Sequence, residues 1–103
     1  MYPKNPIIMI PARLRSKRLP GKPLANIVGI PMIVRVMERA QAAELGRVVV
    51  ACADQEIVDT VIAAGGEAIL TRENHPSGSD RIYEALTTVD PKQTHDAVIN
   101  KFA

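Results

Sequence analysis

Short runs of branched aliphatic residues alternate with stretches of helical period along the whole of this chain, and that alternation narrows the fold more than any other feature. Residues 6 to 11 are an apolar run of strand length, 47 to 53 a β-branched run, 67 to 70 a shorter one, and 97 to 99 begin a fourth. Between the first two, Ile33, Val36, Met37, Ala40 and Leu45 recur at near-helical spacing over 31 to 45, with Pro31 suited to the first turn and Gly46 to the stop. Asp54 reads as the N-cap of a second helix through Ala64, with Ile57, Val58, Val61 and Ile62 inward and Gly65-Gly66 at its end. A third helix from about 77 to 89 turns Ile82, Ala85, Leu86 and Val89 inward. Strands alternating with helices in this way predict right-handed crossovers and a parallel sheet of the doubly wound kind. In such sheets ligands gather at the carboxyl ends of the strands, beside a switch in strand order.

The charge pattern points to that same end of the sheet. Seven cations precede the first acidic residue, Glu38, although the net charge is only +2. Arg13, Arg15, Lys17, Arg18 and Lys22 crowd into the loop after the first strand, which Pro11, Pro20, Gly21 and Pro23 shape. Their mutual repulsion makes sense if a multiply charged anion sits among them. A nucleic-acid-binding domain would spread its basic residues over a face or a recognition helix, and an aromatic content of 3% leaves little to stack bases on. A small phosphorylated ligand is expected instead.

The remaining composition sets bounds. The 103 residues suffice for one domain or part of one, with an aliphatic core. Cys52 is the sole cysteine, which excludes an internal disulfide and a zinc site of several thiolates, and its place on an apolar strand suits an inert buried thiol. No run approaches the roughly 18 to 20 apolar residues of a membrane span, and the start lacks a charged leader followed by an apolar run. A cytoplasmic location without membrane partner is therefore expected.

The string PAR-x-x-S-x-RLPGKPL from Pro11 to Leu24 resembles the nucleotide signature of the sugar-activating nucleotidyltransferases. In its wording it is most similar to the 3-deoxy-manno-octulosonate cytidylyltransferases, or CMP-KDO synthetases. PMIVRVMERA, AAGGEAILTRENHPSGSDRI and DAVIN follow in the family's order, so the resemblance covers almost the whole chain. It implies an α/β, Rossmann-like parallel sheet with helices on both faces, ending in or just after the fourth strand. The chain would then be the N-terminal nucleotide-binding part of a single nucleotidyltransferase domain. The implied activity is cytidylyl transfer from CTP to 3-deoxy-manno-octulosonate for lipopolysaccharide biosynthesis. The intact family member is expected to be a homodimer, with no nucleic-acid partner.

Nucleotidyl transfer depends mainly on charge neutralisation and alignment. Arg13 and Lys22 are the residues expected to grip the triphosphate, Arg13 through its fork and Lys22 as a point charge. By resemblance, Lys22 also stabilises the transition state, and Arg18 is the next candidate. Pro11 and Ala12 would act through their backbone, the small side chain at 12 letting main-chain groups approach a base or ribose. Pro76, Ser77, Gly78 and Ser79 fall where the family recognises cytosine, and Ser77 with Asp80 also resembles a helix-capping box. His75 is expected to anchor its loop and His95 to sit in a surface turn.

Two departures from the family pattern bear on activity. Ala51-Cys52-Ala53 stands where an Ala-Thr-Asp turn is usual, with Asp54 displaced by one position. After Val98-Ile99-Asn100 the family continues into a Val-Gln-Gly-Asp turn whose carboxylate holds Mg²⁺, whereas here Lys101-Phe102-Ala103 follow. The resemblance implies Mg²⁺, but its expected ligand is absent, so this short chain is expected to be poorly stable and inactive alone. A non-catalytic CTP-binding remnant and a cytidylyltransferase for another sugar acid stand as alternatives. A nucleic-acid-binding domain, resting on the basic loop alone, is the weakest.

Overall fold

The computed structural model describes residues 5–13, 26–27, 30–72, 75, 77–95 and 97–100. Its elements run β1 (Pro6–Ala12), β2 (Asn26–Ile27), β3 (Ile30–Pro31), α1 (Met32–Ala42), β4 (Arg47–Cys52), α2 (Gln55–Ala63), β5 (Glu67–Leu70), α3 (Gly78–Val89) and β6 (Ala97–Asn100). Four strands form one parallel sheet in the order β5-β4-β1-β6, and β2 and β3 pair as a separate antiparallel ribbon.

This order explains the composition of β1. A strand flanked by two others and covered on both faces has no side chain to offer water, so it reads as a continuous apolar run instead of an alternating one. Ile7, Ile8, Met9 and Ile10 are all at most 2% exposed. Ile8, Ile10 and Ala12 point to one face, where they join Val48, Val50 and Cys52 of β4 against Ile33, Val34 and Met37 of α1 and Ile57, Val58 and Val61 of α2. Ile7 and Met9 point to the other, packing with Val49 and Ala51 against Ile82 and Ala85 of α3. Each fully buried aliphatic side chain contributes about 2 kcal/mol, so stability is concentrated in the β1–β4 centre and not in the outer strands.

The placement of helices follows from the direction of the crossovers. The chain steps from β1 to β4 to β5 in one direction with α1 and α2 on one face, then returns past β1 to β6 with α3 on the other. Keeping one hand of crossover while reversing direction requires that change of face. The reversal lies at β1, between β4 and β6, and makes the carboxyl end of β1 the switch point of the sheet.

Several local expectations need correction. α1 stops at Ala42 because Glu44 turns into the left-handed region at φ 53°, and Leu45, expected in the core, is 54% exposed. Pro31 is the N-cap of α1 and not its first turn. Gly46 therefore does not stop the helix. It lies against the start of β1, where a Cβ would overlap the Pro6 carbonyl oxygen. Asp54 occupies the N-cap of α2, but its side chain makes no capping bond, and its carbonyl accepts from the N–H groups of Ile57 and Val58. Ile62 lies outside the inward stripe of α2 and is 56% exposed. Gly65-Gly66 end α2 as expected, Gly65 at φ 85°, with Gly66 N–H donating to Val61 O at 2.9 Å and Gly65 N–H to Ile62 O at 3.0 Å.

The Asp90 carboxylate anchors the α3–β6 connection. Asp90 Oδ1 accepts from Thr94 N–H at 2.7 Å and from the Thr94 hydroxyl at 2.6 Å, and Oδ2 accepts from His95 N–H at 2.9 Å. His95 is thereby fixed in its turn, its Nδ1 3.1 Å from Asn5 O. Hydrogen bonds from the Thr94 side chain and the His95 backbone lower the Asp90 carboxyl from 3.8 to about 2. A carboxyl depressed in the folded state binds its proton more readily when unfolded, so its contribution is present above about pH 4 and is lost as pH falls toward 2. The urea midpoint of Asp90→Asn is expected to fall less than that of the parent chain between those pH values. Parallel falls would show that Asp90 carries none of the acid sensitivity.

Candidate functional site

The register of the sheet brings three strand ends level. Ala12 pairs with Cys52, and Cys52 with Leu70, so the residues that follow each strand emerge side by side. Arg13 leaves β1 exposed to solvent, beyond a buried Ala12 and a half-buried Pro11. Ala53 and Asp54 follow β4. Thr71 follows β5, extending the ladder by donating its N–H to Cys52 O at 2.7 Å and its hydroxyl to the same oxygen at 3.1 Å.

Onto this edge α3 projects a buried cation. Arg81 is 3% exposed, and its guanidinium donates to Thr71 Oγ1 at 2.5 Å and to Arg72 O at 2.7 Å. Burial chiefly, and then the charge of Arg13, lower its pKa from the usual arginine value, while the charge of Asp54 acts in the opposite sense. The charges of Arg13 and Asp54 therefore both act on Arg81 at the carboxyl end of the sheet. One helical turn along, Glu84 accepts from Arg72 N–H with both oxygens at 3.2 Å and from Arg72 Nε at 3.2 Å, and lies 2.7 Å from His75 Nε2. His75 is the loop anchor the sequence suggested, its side chain only 6% exposed.

The start of α3 is capped from its own side chains. Ser77 Oγ accepts from Asp80 N–H at 3.3 Å, and the Ser77 hydroxyl donates to Asp80 Oδ2 at 2.7 Å. The shorter aspartate is thus met by the serine hydroxyl, a variation on the expected capping box. Gly78 and Ser79 open the helix, where N–H groups lack intrahelical acceptors. Lys22, Arg18 and Pro76 lie outside the described residues.

Arg81 and Glu84 were not singled out from the sequence. The signal was present for Arg81, which stands four residues before Ala85 and beside Ile82 on the inward stripe, a position a solvated arginine would not take. Cys52 is buried, its Sγ 3.7 Å from Ile69 O, and burial raises the thiol to about 12, against the smaller effect of the Asp54 N–H. It is an inert packing residue at neutral pH. Among the described residues no three His, Cys, Asp or Glu side chains gather as a metal site. The described residues do not fit a Mg²⁺ centre. No described helix is long and apolar enough to cross a membrane.

A cytidylyltransferase family profile matches residues 7–102, and the chain belongs to that family. The sheet described above, with its switch at β1, is Rossmann-like. Within the family the resemblance is to the 3-deoxy-manno-octulosonate cytidylyltransferases. The protein of that name from Rhodospirillum centenum is 61% identical over 98 residues, covering 95% of this chain and 38% of the relative. One from a Bradyrhizobium species is 58% identical over 94 residues, covering 91% and 38%. A solved structure of a CMP:2-keto-3-deoxy-manno-octonic acid synthetase complexed with CTP superposes with a TM-score of 0.86 at 46% identity, over 96% of this chain and 40% of that one. The chain thus spans about 38% of the length of the curated relatives it matches.

Proposed function

We propose that this chain supplies the nucleotide-binding part of an enzyme that transfers CMP from CTP to 3-deoxy-manno-octulosonate and releases pyrophosphate, a step toward lipopolysaccharide. The reading is carried by one observation: the likeness to a synthetase solved with CTP covers 96% of this chain at 46% identity. A hydroxyl oxygen of the sugar acid attacks the α-phosphorus, and the bond from that phosphorus to the bridging oxygen breaks. Arg13 forks onto phosphate oxygens, Lys22 stabilises the charge that develops, and Arg18 supports both. The backbone at Pro11 and Ala12 approaches the nucleoside, while Pro76, Ser77, Gly78 and Ser79 meet the cytosine edge.

The same reading assigns a Mg²⁺ ion to the complete enzyme, where carboxylates that the described residues do not assemble would hold it and its charge would offset that of the phosphates. It also assigns a homodimer and a cytoplasmic location, where nucleoside triphosphates are available. Calorimetry with CTP, with and without Mg²⁺ and with UTP and ATP as competitors, tests the proposal on this chain. Selective CTP binding is expected; a folded chain that binds CTP no better than UTP or ATP would sink it.

A further inference from the structure

Arg81 holds a position that packing does not explain. A guanidinium removed from water loses strong hydration, and the charge of Arg13 adds to that cost while those of Asp54 and Glu84 act against it. The loop after β5 could satisfy one hydroxyl and one carbonyl with water or a neutral side chain. Instead Nη1 of Arg81 donates to both groups, and Thr71 passes the contact to Cys52 O at the end of β4. Glu84, three residues on and so on the same side of α3, grips the same loop through Arg72 and His75. The loop is held at both ends from one helix, and that helix begins at Ser77.

We infer that Arg81 and Glu84 form a clamp that positions Thr71, Arg72, His75 and the first turn of α3 against the end of β1, and thereby sets discrimination between pyrimidine nucleotides. The inference rests on the nucleotide reading above. Neither residue needs to touch the ligand. Both are positioning residues, since a cytosine edge differs from a uracil edge only in which atoms donate and accept, and such a difference is read only by donors and acceptors held in place.

The test uses the 103-residue chain and its Arg81→Lys and Glu84→Ala variants. Arg81→Lys keeps the charge but ends one bond short of Nη1, so that its ammonium no longer reaches both acceptors; Glu84→Ala removes the second grip at a partly exposed site where the core is untouched. Calorimetry with CTP and UTP is expected to show the CTP preference narrowed about tenfold in each variant. Amide hydrogen exchange without nucleotide is expected to quicken in 71–79 and to stay unchanged in β1 and β4, a pattern that a general loss of stability would not produce. An intact CTP preference in the parent chain that both variants retain would overturn the clamp alone, as would unaltered exchange in 71–79. A parent chain with no CTP preference would sink the nucleotide reading, and this role for the clamp with it.

Discussion

Gly46→Ala is expected to lower the free energy of unfolding by about 3 kcal/mol, a large share of what a domain of this size has. The added Cβ overlaps the Pro6 carbonyl oxygen, a backbone atom with no rotamer to escape into. Pro6 opens β1, and Ile7, the next residue, is fully buried and pairs with Arg47. Relief at Pro6 therefore drags the central strand out of register with both neighbours. Two other glycines calibrate the result. A Cβ at Gly66 overlaps the sulfur of Met37, the end of a flexible side chain, so Gly66→Ala is expected to cost less, about 1–2 kcal/mol. At Gly65 nothing lies within 4 Å, and only φ 85° opposes a side chain, for about 1 kcal/mol. Urea unfolding of the three variants gives the ranking; a Gly46→Ala midpoint equal to that of Gly65→Ala would contradict it.

Arg13→Ala is expected to weaken CTP binding by about 10- to 100-fold, the effect of deleting a charge-assisted, forked contact to phosphate. Its backbone is the direct continuation of a buried, paired strand end, so the guanidinium starts from a fixed point. Arg13→Lys should recover part of the loss, since the charge returns without the fork. Affinity measured at two salt concentrations separates phosphate contact from general attraction. Unchanged affinity in Arg13→Ala would transfer the phosphate grip to Lys22 and Arg18.

The central strands were legible because burial on two faces leaves uninterrupted apolar runs, and residues 67 to 70 were placed to the residue. Helix ends were less so. Leu45 continues the spacing of α1 but follows a residue at positive φ, and a periodic pattern contains no record of where the backbone turns. Ile62 extends the stripe of α2 by one residue beyond what the sheet covers. The β2–β3 ribbon escaped notice because two-residue strands have no period to detect. At the site, the basic loop and the Ser77 cap were visible as strings, whereas the Arg81–Thr71 and Glu84–His75 contacts depend on α3 folding back over the end of β5.

The position of β1 in the sheet also bears on the order in which the structure can be completed. Of the four strands of this sheet β1 comes first in sequence, yet one of its edges is filled only by β6, where Pro6 meets Ala97. Pairing with β4 closes a much shorter loop and can come early. Until β6 is made, an apolar strand at the centre of the fold presents an open row of backbone groups, a template for pairing with other chains. The earliest of these four strands is thus the one whose pairing waits for the other three, and during that interval a growing chain of this topology is exposed to misassembly.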